Sequence, residues 1–231
     1  MTEPDARHVI NRSLLITSAV ALAVMVALST WAYVRLPADA LVPTSWTFDG
    51  RVDGYAGKLS GLFLPVVLFP VVIGVLFLVP RIEPRKINLA RSASAFRATA
   101  YALIGFFVGL HALIVAAALG YALEMGRVIP VGVGALLVVI GNWMPKIRSN
   151  FLFGIRTPWT LTSDHAWRRT HRVGGWVFVG LGLVFMIAAA LQPVGVLPAV
   201  LGVGAAVVTI GLVAYSYVVW RSAPDVKPRE R

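Results

Sequence analysis

The sequence contains no cysteine and few charged residues. The first absence excludes certain kinds of site, and the second excludes a soluble protein. Because the sequence has no cysteine, it can form no disulfide, thiol nucleophile or cysteine metal site. Only 13% of the 231 residues are charged, whereas 58% are hydrophobic, and the mean hydropathy is +0.79. A soluble domain of this length could not bury so much apolar surface. The composition therefore predicts an integral membrane protein.

Six apolar runs are each roughly long enough to cross about 30 Å of hydrocarbon as a helix. The runs are continuously apolar, whereas the strands of a lipid-facing barrel would alternate. The first run lacks a small-residue cleavage site, so it is predicted to be a retained span rather than a signal peptide. The predicted spans are 13–33, 59–79, 96–119, 128–144, 173–191 and 194–219.

The distribution of Lys and Arg predicts the orientation of these spans. The net charge is +11, and only four of the 21 basic residues fall in the odd-numbered connections: Arg35, Arg51, Lys58 and Arg127. The other basic residues lie at the termini and in the second and fourth connections. The positive-inside rule therefore predicts that both the N-terminus and the C-terminus are cytoplasmic.

One polar connection stands out between the predicted fourth and fifth spans. Residues 141–175 read GNWMPKIRSNFLFGIRTPWTLTSDHAWRRTHRVGG and are called the signature segment here. The segment holds six basic residues, two His and three of the seven Trp, but a single acid, Asp164. Its aromatic residues would not be left in water, so we expect it to lie along the inner leaflet or to fold back under the bundle.

A short amphipathic helix is expected to begin near Asp164, because the preceding Thr and Ser residues can cap it. Trp167 and His171 would share one face at i and i+4, and Arg168 and Arg172 would share the adjacent face. The predicted fold class is therefore an all-α integral membrane protein with six transmembrane helices and an amphipathic cytoplasmic segment between helices 4 and 5.

The residue types of the signature segment argue against catalysis and metal binding. Asp164 is its one carboxylate, and His165 and His171 stand six residues apart without an acid cluster. We therefore predict no catalytic residue, no metal, no cofactor and no enzyme. Interleaved Arg and Trp would suit nucleic acid, but contact with inner-leaflet lipid explains the same mixture. Two interpretations remain: a docking surface for an acidic partner or anionic headgroup, and a folded cap that only stabilises the spans.

Two other places carry candidate functional residues. The first outside connection contains Trp46, Asp49, Asp53 and Lys58, and its Asp-Gly pairs predict turns rather than a calcium loop. His111 lies inside the third predicted span, where an ionisable residue is either a functional group, such as a proton relay or a ligand, or a hydrogen-bonded packing residue.

Two further features concern packing. Gly105 and Gly109 form a GxxxG pair, which lets two helices approach closely, either within the chain or between copies. The second connection, residues 81–97, is basic and polar, so we expect it to be solvated and to touch lipid headgroups.

The run 141–176 resembles the signature of the SdpI family, bacterial membrane proteins named for immunity to a sporulation-delaying toxin peptide. Residues 36–58 resemble a domain of unknown function that often precedes this region, although Ser45 stands where His is common. The resemblance implies a multi-pass protein of the bacterial cytoplasmic (inner) membrane. It also implies two activities: protection against a toxin peptide outside, and retention of a transcriptional repressor inside.

The resemblance favours the docking interpretation of the signature segment. We therefore interpret the chain as an immunity or toxin-sensing protein that contacts anionic headgroups, has no catalytic activity and does not bind nucleic acid directly. The alternative is a small-solute transporter or channel in which His111 lines a hydrated path. The sequence divides into an N-terminal membrane region at 1–125, an SdpI-like region at 126–221 and a disordered tail at 222–231.

The residues predicted to bind partners all lie in the signature segment. They are Asn142, Pro145, Lys146, Arg148, Asn150, Gly154, Arg156, Thr157, Pro158, Trp159, Trp167, Arg168, Thr170, His171 and Arg172.

Overall fold

The computed structural model describes residues 9–47, 50–191 and 200–226. Six of the described helices are long and apolar enough to cross a membrane, two of them when a short turn that extends them is included. The protein is therefore a mostly helical, multi-pass membrane protein. The helices are α1 (Arg12–Arg35), α2 (Lys58–Ile82), α3 (Lys86–Arg91), α4 (Ala93–Ala118), α5 (Met125–Trp143), α6 (Pro158–Thr162), α7 (Asp164–Leu191) and α8 (Ala205–Arg221).

The spanning helices run back and forth between two ends of a bundle. We call the end where α1 stops and α2 starts the hairpin end, and the end where α2 stops and α4 and α7 start the signature end. The sequence predicts that the signature end faces the cytoplasm. An apolar core of α1, α2 and α4, centred on Met25, Phe69 and Ile104, joins the two ends.

A β-hairpin closes the hairpin end, where the sequence predicted only turns. Strands β1 (Leu41–Trp46) and β2 (Val52–Gly57) are antiparallel. The predicted turn at Asp53 is wrong, because Asp53 lies inside β2 and accepts a hydrogen bond from Ser45 Oγ across the strands. The chain reverses around Gly50, which belongs to the other Asp-Gly pair that predicted a turn and whose φ of 85° favours glycine.

Four glycines bring α5 and α7 into backbone contact. A Cβ added to Gly141 would lie 2.7 Å from the Gly175 carbonyl oxygen, and one added to Gly182 would lie 2.5 Å from that of Gly134. Both pairs are separated by seven residues along each helix, so they fall on one seam. These glycines therefore set the position of α7, which carries the second half of the signature segment.

The GxxxG pair of α4 does not pack in this way. A Cβ added to Gly105 or Gly109 would meet nothing within 4 Å. Together with Gly132 of α5, both glycines line an open apolar groove of about 460 Å³. The glycines that bring helices together within the chain are thus those of α5 and α7.

The predicted short helix near Asp164 is not a separate element. The α7 helix begins at Asp164, nine residues before the predicted start of the fifth span, and continues to Leu191. No proline interrupts this stretch, and Gly174 and Gly175 are buried against neighbouring side chains, so the helix passes from polar to apolar sequence without a break.

The last span begins in the structure with a π-helical turn at Val200–Gly204 and continues as α8. The start of the predicted span at 194 lies outside the described residues. Residues 222–226, assigned from sequence to a disordered tail, form turns in which Ala223 is fully buried. The rest of that tail lies outside the described residues. The division of the chain at 125/126 stays a prediction.

Candidate functional site

Residues 144–163, which we call the cap, fold back under the signature end. A 3-10 turn at Met144–Lys146 follows α5, an irregular loop comes next, and α6 leads into α7. Met144 and Ile147 of the cap pack in one apolar cluster with Trp167 of α7 and Ala95 of α4. The segment therefore takes the folded-back arrangement, one of the two that the sequence allowed.

Asn150 organises the loop of the cap from within. Its side chain is fully buried. The amide Nδ2 donates to the carbonyl oxygens of Arg148 and Phe153, both at 2.8 Å, and Oδ1 accepts from the Leu152 N–H at 3.0 Å and the Phe153 N–H at 2.6 Å. One side chain thus satisfies four backbone groups that no helix or strand pairs.

Trp167 and His171 fasten the loop to α7. The rings stack with centroids 4.0 Å apart, as their i, i+4 spacing predicted, and both are buried. Trp167 Nε1 donates to the Ile147 carbonyl at 2.7 Å, and His171 Nε2 accepts from the Ile155 N–H at 3.0 Å. Because Nε2 is the acceptor, Nδ1 carries the proton and donates to the Trp167 carbonyl at 2.9 Å. His171 is therefore neutral and satisfied at both nitrogens.

Gly154 allows the loop to reach His171. Its φ is 117°, a conformation that L residues rarely adopt. An added Cβ would also run into His171 Nε2. Gly154 is therefore needed for the shape of the cap.

The start of α6 ties the cap to the last span. Thr157 and Thr160 form a reciprocal capping box, with Pro158 at the first helical position. Thr157 Oγ1 also lies 3.0 Å from Ser216 Oγ of α8, and both side chains are buried. This end of α6 therefore holds α8 against the cap.

Glu83 holds the cap in place, although it was not among the residues predicted from the sequence. It follows α2 directly, and its side chain is fully buried. The carboxylate accepts from the Phe151 N–H, at 3.1 Å and 3.0 Å from its two oxygens, and from the Arg85 N–H at 2.9 Å. A buried carboxylate therefore anchors the middle of the cap, 68 residues away in the sequence.

Neighbours of Glu83 bind the cap as well. Arg85 donates to Ser149 Oγ and, at 2.9 Å, to the Leu161 carbonyl. Asn88 Nδ2 donates to the Ser149 carbonyl at 2.8 Å, and Ser92 Oγ accepts from the Arg148 N–H at 2.8 Å.

The second connection is therefore not simply the solvated, lipid-touching loop that was predicted, because its polar side chains supply hydrogen-bond donors and acceptors to the backbone of the cap. One sequence signal could have revealed this: Glu83 is the one acid in a connection with five basic residues.

The basic residues of the signature segment point the other way. All six are exposed, and none forms an ion pair with a described carboxylate. Lys146 Nζ lies 3.7 Å from the Trp143 ring centroid, and Arg156 donates to the Phe151 carbonyl at 2.8 Å. We call this set the cationic rim: Lys146, Arg148, Arg156, Arg168, Arg169 and Arg172.

The remaining predicted residues divide between surface and interior. Trp159 is half-buried against Tyr217 of α8, with ring centroids 5.2 Å apart. Trp167, one of the residues predicted to bind partners, is only 1% exposed and is therefore not available on the surface. Thr170 is also buried. Exposed positions are Asn142, Pro145 and Pro158.

A carboxylate from the C-terminal segment reaches the cap. Asp225 accepts from Ser163 Oγ at 2.8 Å and from the His165 N–H at 3.2 Å. Burial raises the pKa of the Asp225 carboxyl, but the hydrogen bonds from Ser163 and from the His165 and Asp225 N–H groups, together with the charge of His165, bring the net pKa below its ordinary value.

The candidates at the hairpin end form no comparable cluster. Trp46 is half-buried at the end of β1, and Asp53 is paired with Ser45. Lys58 donates to the Leu36 carbonyl at 2.7 Å and lies 4.2 Å from the Tyr33 ring centroid. Asp49 lies outside the described residues. No group of three or more acids and histidines that could hold a metal occurs within the described ranges.

His111 is a packed residue of the bundle core, 1% exposed. Its Nε2 donates to the Met25 carbonyl at 3.2 Å and lies 3.0 Å from Ser29 Oγ, whose own hydrogen goes to the Leu62 carbonyl. His111 is not among the residues that line the α4–α5 groove. The transporter alternative, which needed His111 in a hydrated path, is therefore not favoured.

Comparisons with known proteins agree with this architecture. Residues 146–216 match the SdpI/YfhL protein family, and residues 20–69 match a domain of unknown function, DUF1648. The immunity protein SdpI of Bacillus subtilis (strain 168) is 28% identical over 156 residues, which cover 67% of this chain and 71% of that protein. No solved structure matches the chain.

The matched region contains the cap from Lys146 onward, the cationic rim and Ser216 on α8. The structural unit built around Asn150, His171 and Thr157 thus coincides with the region by which the family is recognised. By these comparisons, residues 146–216 are similar to the SdpI/YfhL family and residues 20–69 to the DUF1648 domain.

Proposed function

We propose that the chain is a membrane immunity protein that protects a cell against a membrane-active peptide and binds an acidic cytoplasmic regulator at its signature end. The immunity part rests on the similarity to the B. subtilis immunity protein. The docking part rests on one observation: six exposed cations without carboxylate partners stand on a buried scaffold in the described structure. Placement in a bacterial cytoplasmic membrane is part of the same proposal.

Rigidity is what makes the cationic rim suitable for docking. Arg148 and Arg156 flank a loop whose backbone is fixed by Asn150 and Glu83, and Arg168 and Arg172 stand on α7 beside the buried Trp167–His171 pair. Guanidinium groups carried on such a fixed backbone can form forked hydrogen bonds to carboxylate or phosphate groups without the cost of ordering the backbone on binding. No step of this proposed function requires catalysis.

Survival of a toxin-sensitive bacterium expressing the protein tests the immunity part. Cells are challenged with the sporulation-delaying peptide, and the amount of protein in the membrane is matched between strains. We expect the wild type to protect. The absence of protection by correctly inserted protein would contradict immunity to that peptide.

The same assay asks whether the cationic rim contributes. Arg168→Gln with Arg172→Gln removes two charges from the rim, whereas Lys86→Gln with Arg91→Gln removes two from exposed positions of the neighbouring connection. If docking supports protection, only the first pair lowers survival. An equal loss in both pairs would indicate a general effect of positive charge at the membrane surface.

A further inference from the structure

The N-terminus of α7 already holds a carboxylate, supplied by the far end of the same chain. Asp225 Oδ1 accepts from Ser163 Oγ at 2.8 Å, and Oδ2 accepts from the His165 N–H at 3.2 Å. Ser163 in turn caps the helix, because its Oγ accepts from the Ala166 N–H at 3.0 Å. One helix-end N–H is thus satisfied from within the cap and another by a carboxylate from beyond the last span.

The electrostatics of this position suit an anion. The first turn of a long helix carries a partial positive charge and free N–H groups. Arg168, Arg169 and Arg172 follow within the next two turns and are exposed without a described carboxylate partner. A carboxylate bound at Ser163 and His165 therefore lies at the start of the helix whose next two turns carry three members of the cationic rim.

Asp225 can leave this position without disturbing the bundle. Its own side chain is exposed, whereas Ala223, two residues earlier, is fully buried and holds the segment to α8 through its N–H bond to the Trp220 carbonyl at 3.0 Å. An incoming carboxylate could replace that of Asp225 while Ala223 stays packed.

We propose that the N-terminus of α7 is a binding position for an aspartate or glutamate side chain of an acidic cytoplasmic protein, and that Asp225 occupies it in cis in the unbound protein. The inference rests on the proposed function, since the partner is the regulator that docks on the cationic rim. The inference adds the groups that bind one carboxylate of the partner, Ser163 Oγ and the His165 N–H, and it identifies Asp225 as a competitor within the same chain.

Competition is measured with the full chain in nanodiscs of phosphatidylcholine, a lipid without net charge. The probe is fluorescein-labelled hexa-aspartate, with hexa-asparagine as the neutral comparison, at fixed ionic strength. Asp225→Asn is expected to bind hexa-aspartate about two- to fivefold more tightly than the wild type. Asp225→Glu, which keeps the carboxylate, is expected to bind close to the wild-type level.

Asp164→Asn is the matched control. It removes the same charge from the same helix turn, but Asp164 accepts no hydrogen bond from the described N–H groups of α7. If Asp164→Asn tightens binding as much as Asp225→Asn, or if Asp225→Asn has no effect, the competitor role is wrong. A purely structural role of Asp225 would lower thermal stability and leave peptide affinity unchanged or weaker.

The two proposals fail in different ways. If the wild type binds hexa-aspartate and Arg168→Gln with Arg172→Gln weakens the binding about tenfold, docking on the rim stands whatever Asp225 does. If no variant binds hexa-aspartate in preference to hexa-asparagine, both the docking surface and the carboxylate position are wrong.

Discussion

Both ends of the bundle are closed by chain that folds back onto the helices, but the two closures are held by different forces. At the hairpin end, Val42 packs against Gly61, and the Ser45–Asp53 hydrogen bond is exposed. At the signature end, the buried side chains of Glu83 and Asn150 satisfy the backbone of the cap.

The difference has a consequence for how each end tolerates change. Apolar contacts are non-directional, so the hairpin can shift without leaving a polar group unsatisfied. A buried hydrogen-bond network fixes backbone positions, because each unmade bond costs free energy. The signature end is therefore the rigid end, and the backbone of the loop that carries Arg148 and Arg156 is held in place.

The largest effect is expected where α7 is seated. Gly182→Leu would place a Cβ 2.5 Å from the Gly134 carbonyl and separate α5 from α7. We expect a loss of about 4 kcal/mol or more in the free energy of unfolding, seen as loss of monodisperse protein after detergent extraction. Gly105→Leu, whose Cβ meets nothing within 4 Å, is the control. Equal damage by both would contradict the α5–α7 seam.

A smaller effect is expected from the anchor of the cap. Glu83→Ala leaves the N–H groups of Phe151 and Arg85 without an acceptor, at a cost of about 2 kcal/mol. Limited trypsin digestion should then cut faster in the cap, at Arg148 or Arg156. Glu124→Ala, which removes an exposed acid at the hairpin end, should leave these sites protected. Unchanged cleavage in Glu83→Ala would mean that the cap does not depend on Glu83.

The smallest effect is expected at the hairpin end. Ser45→Ala removes the hydrogen bond to Asp53, which is exposed. The free energy of unfolding should therefore fall by no more than about 0.5 kcal/mol, measured as a small shift in the melting temperature. A loss as large as that from Glu83→Ala would erase the contrast between the two ends.

Hydropathy was enough to predict six long apolar helices, because a helix is the structure that pairs all backbone groups of a continuous apolar run within the segment. The pairing of Trp167 with His171 also followed from helical spacing. Glu83 could not be found in this way, because its partner, the Phe151 N–H, lies 68 residues away in the sequence. A backbone N–H is present in every residue except proline, so residue types do not show which one a carboxylate binds. The continuity of α7 was missed because the change from polar to apolar sequence at residue 173 looked like a boundary.

The same limit applies to the residues of the signature. Sequence could not separate Asn150, Thr157 and His171, which build the cap, from Arg168 and Arg172, which face outward. Both kinds are polar, and only the fold decides which are buried. The docking and cap interpretations therefore describe different residues of one segment.

The central claim is that the cap is a scaffold and the cationic rim is the binding surface. It is tested most directly by hexa-aspartate binding to Arg168→Gln with Arg172→Gln and to Lys86→Gln with Arg91→Gln, in neutral nanodiscs and at matched thermal stability. We predict about tenfold weaker binding for the first pair and near wild-type binding for the second. Equal weakening of both pairs would contradict the claim.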